Sequence, residues 1–137
     1  MGLNNDQIVT VIQALAKNKT VKSVILRFNN INDEGATLIA KFLSKNITIT
    51  YLDLTNNTIS DKGACDLANA ISCNKTLLML ELGMNDISDK GANYFFNAVD
   101  QKNKTITSIE LYGNLVSDTL IFKLKSKIQD NLRFKKK

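Results

Sequence analysis

The sequence predicts an α/β solenoid in which short parallel strands line a concave inner face and helices pack outside them. Three observations carry that prediction. A similar phrase recurs every 28 or 29 residues, apolar residues alternate with period two inside each phrase, and an apolar face of helical period follows it.

The period is read from two sets of asparagines. Asn18, Asn46, Asn74, Asn103 and Asn131 open the phrases NKTV, NITI, NKTL, NKTI and NLRF, while Asn29, Asn57, Asn85 and Asn114 keep the same spacing further on. The single extra residue falls between Asn85 and Asn103, and is expected in the helix-to-strand turn near Gln101 and Lys102.

The first element is an amphipathic N-terminal segment (Ile8, Val11, Ile12, Leu15) with no strand before it. Four phrases then start at Val21, Ile49, Leu77 and Ile106 (VKSVILRFNNI, ITYLDLTNNTI, LLMLELGMNDI and ITSIELYGNLV). The alternation in each describes a strand with one buried face, and the buried pairs are Val24 with Leu26, Leu52 with Leu54, Leu80 with Leu82, and Ile109 with Leu111. After each strand stands a helix start, at Asn32-Asp33, Ser60-Asp61, Ser88-Asp89 and Ser117-Asp118, where a side-chain oxygen of the same repeat is expected to cap the first amides. Apolar steps of three and four follow at Ala36, Ile39, Ala40 and Leu43, at Ala64, Leu67, Ala68 and Ile71, and at Ala92, Phe95, Phe96 and Val99. The last helix keeps Ile121, Leu124 and Ile128 but adds Lys123, Lys125 and Lys127. Residues 1–137 thus read as one domain: a capping half-repeat over 1–18, four strand-bearing repeats with their helices over 19–116, and a C-terminal capping helix and basic tail over 117–137.

Strands about 4.8 Å apart and helices about 10 Å wide cannot stack straight, so the solenoid curves. The ladder Asn29, Asn57, Asn85 and Asn114 is expected to stitch each strand end to the next through its amides.

The fourfold L-x-x-L-x-L-x-x-N-x-L pattern, its period and the S-D-K-G-A helix starts resemble the ribonuclease-inhibitor-like class of leucine-rich repeats, along nearly the whole chain. That resemblance implies a right-handed horseshoe of β-α units which holds protein partners by its concave face and rim loops. It is a class found in ribonuclease inhibitor, NOD-like receptors, the Ran GTPase-activating protein and effectors that intracellular bacteria deliver into host cells. The lysine, asparagine and isoleucine bias suits an AT-rich genome and leans the reading toward such an effector.

Residues alternating with the buried ones point to the concave side and form columns: Ser23, Tyr51, Met79 and Ser108; Ile25, Asp53, Glu81 and Glu110; Arg27, Thr55, Gly83 and Tyr112. The rim positions Phe28, Asn56, Met84 and Gly113 follow. The expected partner surface is Arg27, Phe28, Tyr51, Asp53, Met79, Glu81, Met84, Glu110 and Tyr112, since exposed aromatics and methionines serve as binding anchors, against the plainer reading of scattered surface apolarity. The acidic column repels itself unless a cation or a basic partner faces it, or water separates its members. The lysines map to the outer helices, so the two faces are expected to differ in sign, and Lys135, Lys136 and Lys137 read as a solvated tail.

The chain holds no His, Trp or Pro, which removes the commonest general base and zinc ligand. No enzyme, cofactor or metal site is expected. Cys65 and Cys73 would lie about 12 Å apart on one helix, beyond disulfide reach. No secretory signal or membrane span is evident, so a cytoplasmic protein is expected, or one delivered into a host cytosol. The sequons at Asn18, Asn46, Asn74 and Asn103 read as a repeated turn. The expectation is therefore a protein-interaction module with no nucleic-acid or membrane partner, monomeric or weakly homodimeric. The alternatives are a GTPase-activating regulator resting on Arg27 alone, and a structural or homodimeric protein.

Overall fold

The computed structural model describes residues 2–136. Helix α1 (Asn5–Lys17) comes first, and four strand–helix units follow: β1 (Ser23–Ile25) with α2 (Asp33–Leu43), β2 (Tyr51–Asp53) with α3 (Asp61–Cys73), β3 (Met79–Glu81) with α4 (Asp89–Gln101), and β4 (Ser108–Glu110) with α5 (Asp118–Lys135). The strands form one parallel sheet in the order β1-β2-β3-β4. The register sets Ser23, Tyr51, Met79 and Ser108 side by side, and likewise Asp53, Glu81 and Glu110.

The core lies between sheet and helices. Val24, Leu52, Leu80 and Ile109 meet Ile39, Leu67, Phe95 and Leu124 there, all buried. Leu26 is only partly buried, because β1 has no strand on its outer side, and Phe96 is likewise partial. Ile8 alone of α1 is buried. The extra residue of the third step sits where expected. The Asn74 N–H donates to the Ala70 carbonyl four residues back, whereas the Asn103 N–H reaches five back to Ala98, so Lys102 is absorbed in a widened turn.

Two asparagine ladders join the repeats. At the strand end, Asn57 Oδ1 accepts the N–H groups of Asn29 (3.0 Å) and Ile31 (2.9 Å) from the preceding repeat, and its Nδ2 donates to the Leu26 and Leu54 carbonyls. Asn85 takes the Ile59 N–H and Asn114 the Ile87 N–H in the same way. Asn29 differs, since its amide donates only to the Arg27 carbonyl. At the helix end, Asn74 and Asn103 are buried and donate to carbonyls of the preceding repeat, which leaves no room for a glycan in the folded chain.

The expected caps are present at three helix starts, where the Asn32, Ser88 and Ser117 side chains accept the Gly35, Lys90 and Leu120 N–H groups, and α3 departs from them. Ser60 makes no side-chain cap to its own helix. Its N–H and hydroxyl both donate to Asp33 of the preceding repeat, and Asp33 Oδ1 also accepts the Gly63 N–H of α3 at 3.0 Å. Asp61 repeats this toward Ser88 and Gly91, and Asp89 accepts the Ser117 N–H. Each Asp thus caps the neighbouring helix, because the repeat stagger brings that helix's first amides over its carboxylate. A Cβ on Gly63 would stand 2.7 Å from Asp33 Oδ1, which explains the glycine of the S-D-K-G-A motif. Cys65 and Cys73 are both on α3 and free. Among the described residues, no helix is long and apolar enough to cross a membrane.

Candidate interaction face

The sheet and its upper rim position most of the residues singled out above. Tyr51 and Met79 stand beside each other on β2 and β3, Tyr51 half-buried and Met79 more open. Ile25, in register with Asp53, is exposed on the edge strand. Glu81 and Glu110 are half-buried neighbours, and the Ser108 hydroxyl donates to Glu110 at 3.2 Å.

Asp53 is not part of the exposed face. Its side chain is buried, the Arg27 guanidinium lies against its carboxylate, and the Thr55 N–H donates to it at 2.9 Å. Burial pushes that carboxyl up, but the hydrogen bonds from Thr55 and Arg27 outweigh burial and hold it below the ordinary range. Arg27 is long enough to fold back one strand and bury the neighbour beneath it, and Thr55 is buried with it. The acidic column is therefore neutralised at both ends within the chain. Lys125 reaches from α5 to Glu110 at 3.4 Å, so this lysine faces the end of the sheet and not the outer side, and the expected division of charge between the faces is incomplete. Glu81 stands between them with no cation of its own among the described residues. Its carboxyl is raised, by burial first and then by the charges of Glu110 and Asp53. Burial likewise raises the Tyr51 phenol, with Asp53 and Glu81 adding to it.

The rim is built on an unusual backbone. Phe28, Asn56 and Met84 all have positive φ (60°, 55° and 54°), as does Gly113 at 69°, the same position in each repeat, and Asn30 in the first repeat is left-handed as well at 52°. The main chain is pinned there: the N–H groups of Phe28, Asn56 and Met84 donate to the carbonyls of Thr55, Gly83 and Tyr112 in the next repeat. The left-handed region costs an ordinary side chain roughly 1–2 kcal/mol, and Asn or Gly much less. Phe28 and Met84 nevertheless occupy it with 64% and 49% of their surface exposed.

Tyr112 and Met84 interlock across two glycines. The Tyr112 ring lies directly over the Cα of Gly83, and the Met84 thioether lies over Gly113, so a Cβ at either glycine would collide with its neighbour. Together they form a ledge at the β3–β4 end, with Tyr112 still 54% exposed. Gly83 and Gly113 belong to the concave and rim columns but not to the partner surface expected from the sequence. Their signal was the absence of a side chain beside Tyr112 and Met84 in a column otherwise filled. Arg27 and Phe28 sit at the opposite end of the sheet, two strands from Met84, or about 10 Å.

Residues 17–40, 45–68 and 73–96 each match the family described as Leucine Rich repeat, together more than half of the chain. No curated protein sequence matches it. Among solved structures, the leiomodin-1 actin-binding site 2 is similar over 98% of this chain and 79% of its own, with 26% identity and a TM-score of 0.77. The tropomodulin C-terminal domain of Caenorhabditis elegans shares the fold at 15% identity and a TM-score of 0.59, covering 94% of this chain and 95% of its own. With three matched repeats, a four-stranded parallel sheet and asparagines stitching each strand end to the next, the chain belongs to the leucine-rich-repeat family.

Proposed function

We propose that this chain is a protein-interaction module of the ribonuclease-inhibitor-like kind, holding its partner on the concave face and the rim above it. One observation carries the reading. Each repeat has a left-handed rim position, and two of the four hold large exposed apolar side chains where Asn56 and Gly113 show that a cheaper residue fits. Neither folding nor solubility favours Phe28 or Met84 there, whereas a contact surface does.

The partner's contact pairs an apolar group for the Met84–Tyr112 ledge with a cation for Glu81, the one carboxylate of the column lacking an internal counter-ion among the described residues. Arg27 is committed to Asp53, which argues against the GTPase-activating alternative that rested on it. Four strands span roughly 15 Å, at or below one side of a standard interface, so modest affinity is expected. The likeness to leiomodin-1 actin-binding site 2 supports actin as the first partner to try. The same surface would serve in the protein's own cytoplasm or, for a delivered effector, in a host's.

The test is co-sedimentation with filamentous actin, titration with monomeric actin, and affinity capture from eukaryotic lysate, using wild type and a Tyr51→Ala, Glu81→Ala, Met84→Ala triple variant that retains its circular dichroism spectrum. A partner held by the wild type and lost by the variant supports the concave-face reading. A partner held equally by both overturns it, and lack of binding to actin alone removes only actin.

A further inference from the structure

We propose that the edge of the solenoid where helices turn back into strands is a second docking surface, one that lies on an anionic phospholipid bilayer. The segments leading from helix to strand, 17–22, 44–50, 72–78 and 100–107, hold seven lysines against Asp100 alone, and Asp100 is taken by Lys127 at 2.6 Å. The opposite edge, 26–35, 54–63, 82–91 and 111–118, holds six acids against three cations, of which Arg27 is committed to Asp53. No membrane partner is expected from the sequence alone, because these lysines are scattered along it and only the fold gathers them.

Each of these turns folds around its asparagine. Oδ1 of Asn18, Asn46, Asn74 and Asn103 accepts the amides two and three residues on, which draws that side chain inward and leaves its neighbours outside. Lys17, Lys19, Lys45, Lys75, Lys102 and Lys104 are all exposed there, and none makes an ion pair among the described residues. Helix dipoles favour cations at this end, and Lys104 donates to the Val99 and Asp100 carbonyls, but carbonyls leave an ammonium charge uncompensated. The dipole gives no reason for Ile47, which takes the place held by Lys19, Lys75 and Lys104 in the other repeats and is 77% exposed. Ile47 lines one hollow of about 200 Å³ on this edge with Lys19, Lys45 and Phe42, so an aliphatic group and two ammonium groups meet there.

A bilayer fits this edge better than a nucleic acid does. The strands pair level from Ser23 through Tyr51 and Met79 to Ser108, so the four turns before them end near one plane, and the cations spread across it instead of lining a groove. The last turn of α5, 132–135, projects about 6 Å past Asn131. It carries Arg133 and Lys135, on a folded helix and not a tail, with the exposed Phe134, and a headgroup layer roughly 5–7 Å deep accommodates that step. Lys137 lies outside the described residues. Single-stranded nucleic acid is held by stacking bases on aromatic rings, whereas the apolar residues exposed in these turns, Ile47 and Leu78, are aliphatic and suit acyl chains.

The test is co-sedimentation with phosphatidylcholine vesicles containing or lacking phosphatidylserine, at about 0.1 M salt. Binding to the anionic vesicles alone is expected, weakened about tenfold or more by Lys19→Gln with Lys45→Gln, and severalfold by Ile47→Ser. Lys62→Gln with Lys90→Gln removes the same charge from the opposite edge and should leave binding unchanged. All five side chains are exposed, so an unchanged melting curve shows that the fold persists. The concave triple variant should bind vesicles like the wild type, which keeps this surface separable from the first. Absence of binding to anionic vesicles overturns the proposal, as does equal weakening by the two lysine pairs, which marks non-specific adhesion of a basic protein. Binding to single-stranded oligonucleotides with none to vesicles would assign the edge to nucleic acid and overturn it as well.

Discussion

Replacing the strand-end asparagines with leucine, a side chain of similar size, should give a graded series that follows the number of buried amides each one satisfies. Asn85 is the only partner of the Ile59 N–H, while the carbonyls it serves keep other donors: Leu54 from Asn57, Leu82 from Asn114 and Gly83 from the Asn56 N–H. Asn85→Leu therefore orphans one buried amide, at a cost of roughly 1–3 kcal/mol. Asn57 serves two, Asn29 and Ile31, so Asn57→Leu should cost about one half more. Asn114→Leu orphans one amide, that of Ile87, and also takes the donor from the Leu111 carbonyl, so it should cost at least as much as Asn85→Leu. Among the described residues Asn29 accepts no amide, and its own bond to Arg27 is exposed, so Asn29→Leu should stay within about 0.5 kcal/mol of wild type. At about 3 °C per kcal/mol for a chain of this size, the melting temperatures should separate by several degrees. Urea unfolding followed by circular dichroism, with m-values compared across the series, measures this. If Asn29→Leu fell as far as Asn85→Leu, the account of the ladder by satisfied amides would be wrong.

Phe28→Asn should raise stability by about 0.5–1 kcal/mol through relief of the left-handed backbone while weakening partner capture; a destabilised variant would show that Phe28 serves the fold. Gly63→Ala should destabilise by about 1–2 kcal/mol even though alanine is the better helix former by about 1, because its Cβ meets the capping carboxylate of Asp33; a rise in melting temperature would refute that cap. Asp53 has a lowered carboxyl in the folded state, so its contribution is present above the ordinary carboxylate range and is lost as pH falls through the folded value. Acid titration of stability should be shallower in Asp53→Asn than in wild type. Glu81 has the opposite sign: its raised carboxyl favours the fold at low pH, and that advantage fades as pH rises through the raised value. Glu81→Gln should accordingly gain about 0.5 kcal/mol at neutral pH by thermal denaturation, and the same variant should bind its partner less well.

The repeated elements were legible because each of their signals occurs several times at one spacing. Leu52, Leu80 and Ile109 could be assigned to the core from alternation alone, and the widened turn at Lys102 from a single step of 29. Caps were legible as positions but not as pairings: Ser60 and Asp61 look like one cap in sequence, yet their partners lie in the repeats before and after. The fate of Asp53 was hidden for a similar reason. Column membership fixes which way a Cβ points, but not that the long Arg27 side chain folds across from β1's end to cover it. Lys125 was misplaced because α5 packs beside β4, close enough for this side chain to reach round to Glu110.

A period so regular makes its exceptions informative. Positions that hold one residue type in every repeat spend their side chains on a neighbouring repeat, Asn57 and Asn85 on the one before and Asp33 and Asp61 on the one after, and are largely withdrawn from solvent. Positions that change from repeat to repeat are free of that duty. The left-handed rim reads Phe, Asn, Met and Gly, and the middle column reads Ile, Asp, Glu and Glu. At the rim, the backbone asks for Asn or Gly, and two repeats refuse in favour of exposed bulk. Local conformational preference and solvent both act against those two residues, and no packing in the folded chain offsets them fully, so the compensation has to come from outside the chain. Function in this protein is therefore sought where the repeat breaks its own rule, at the rim of the sheet.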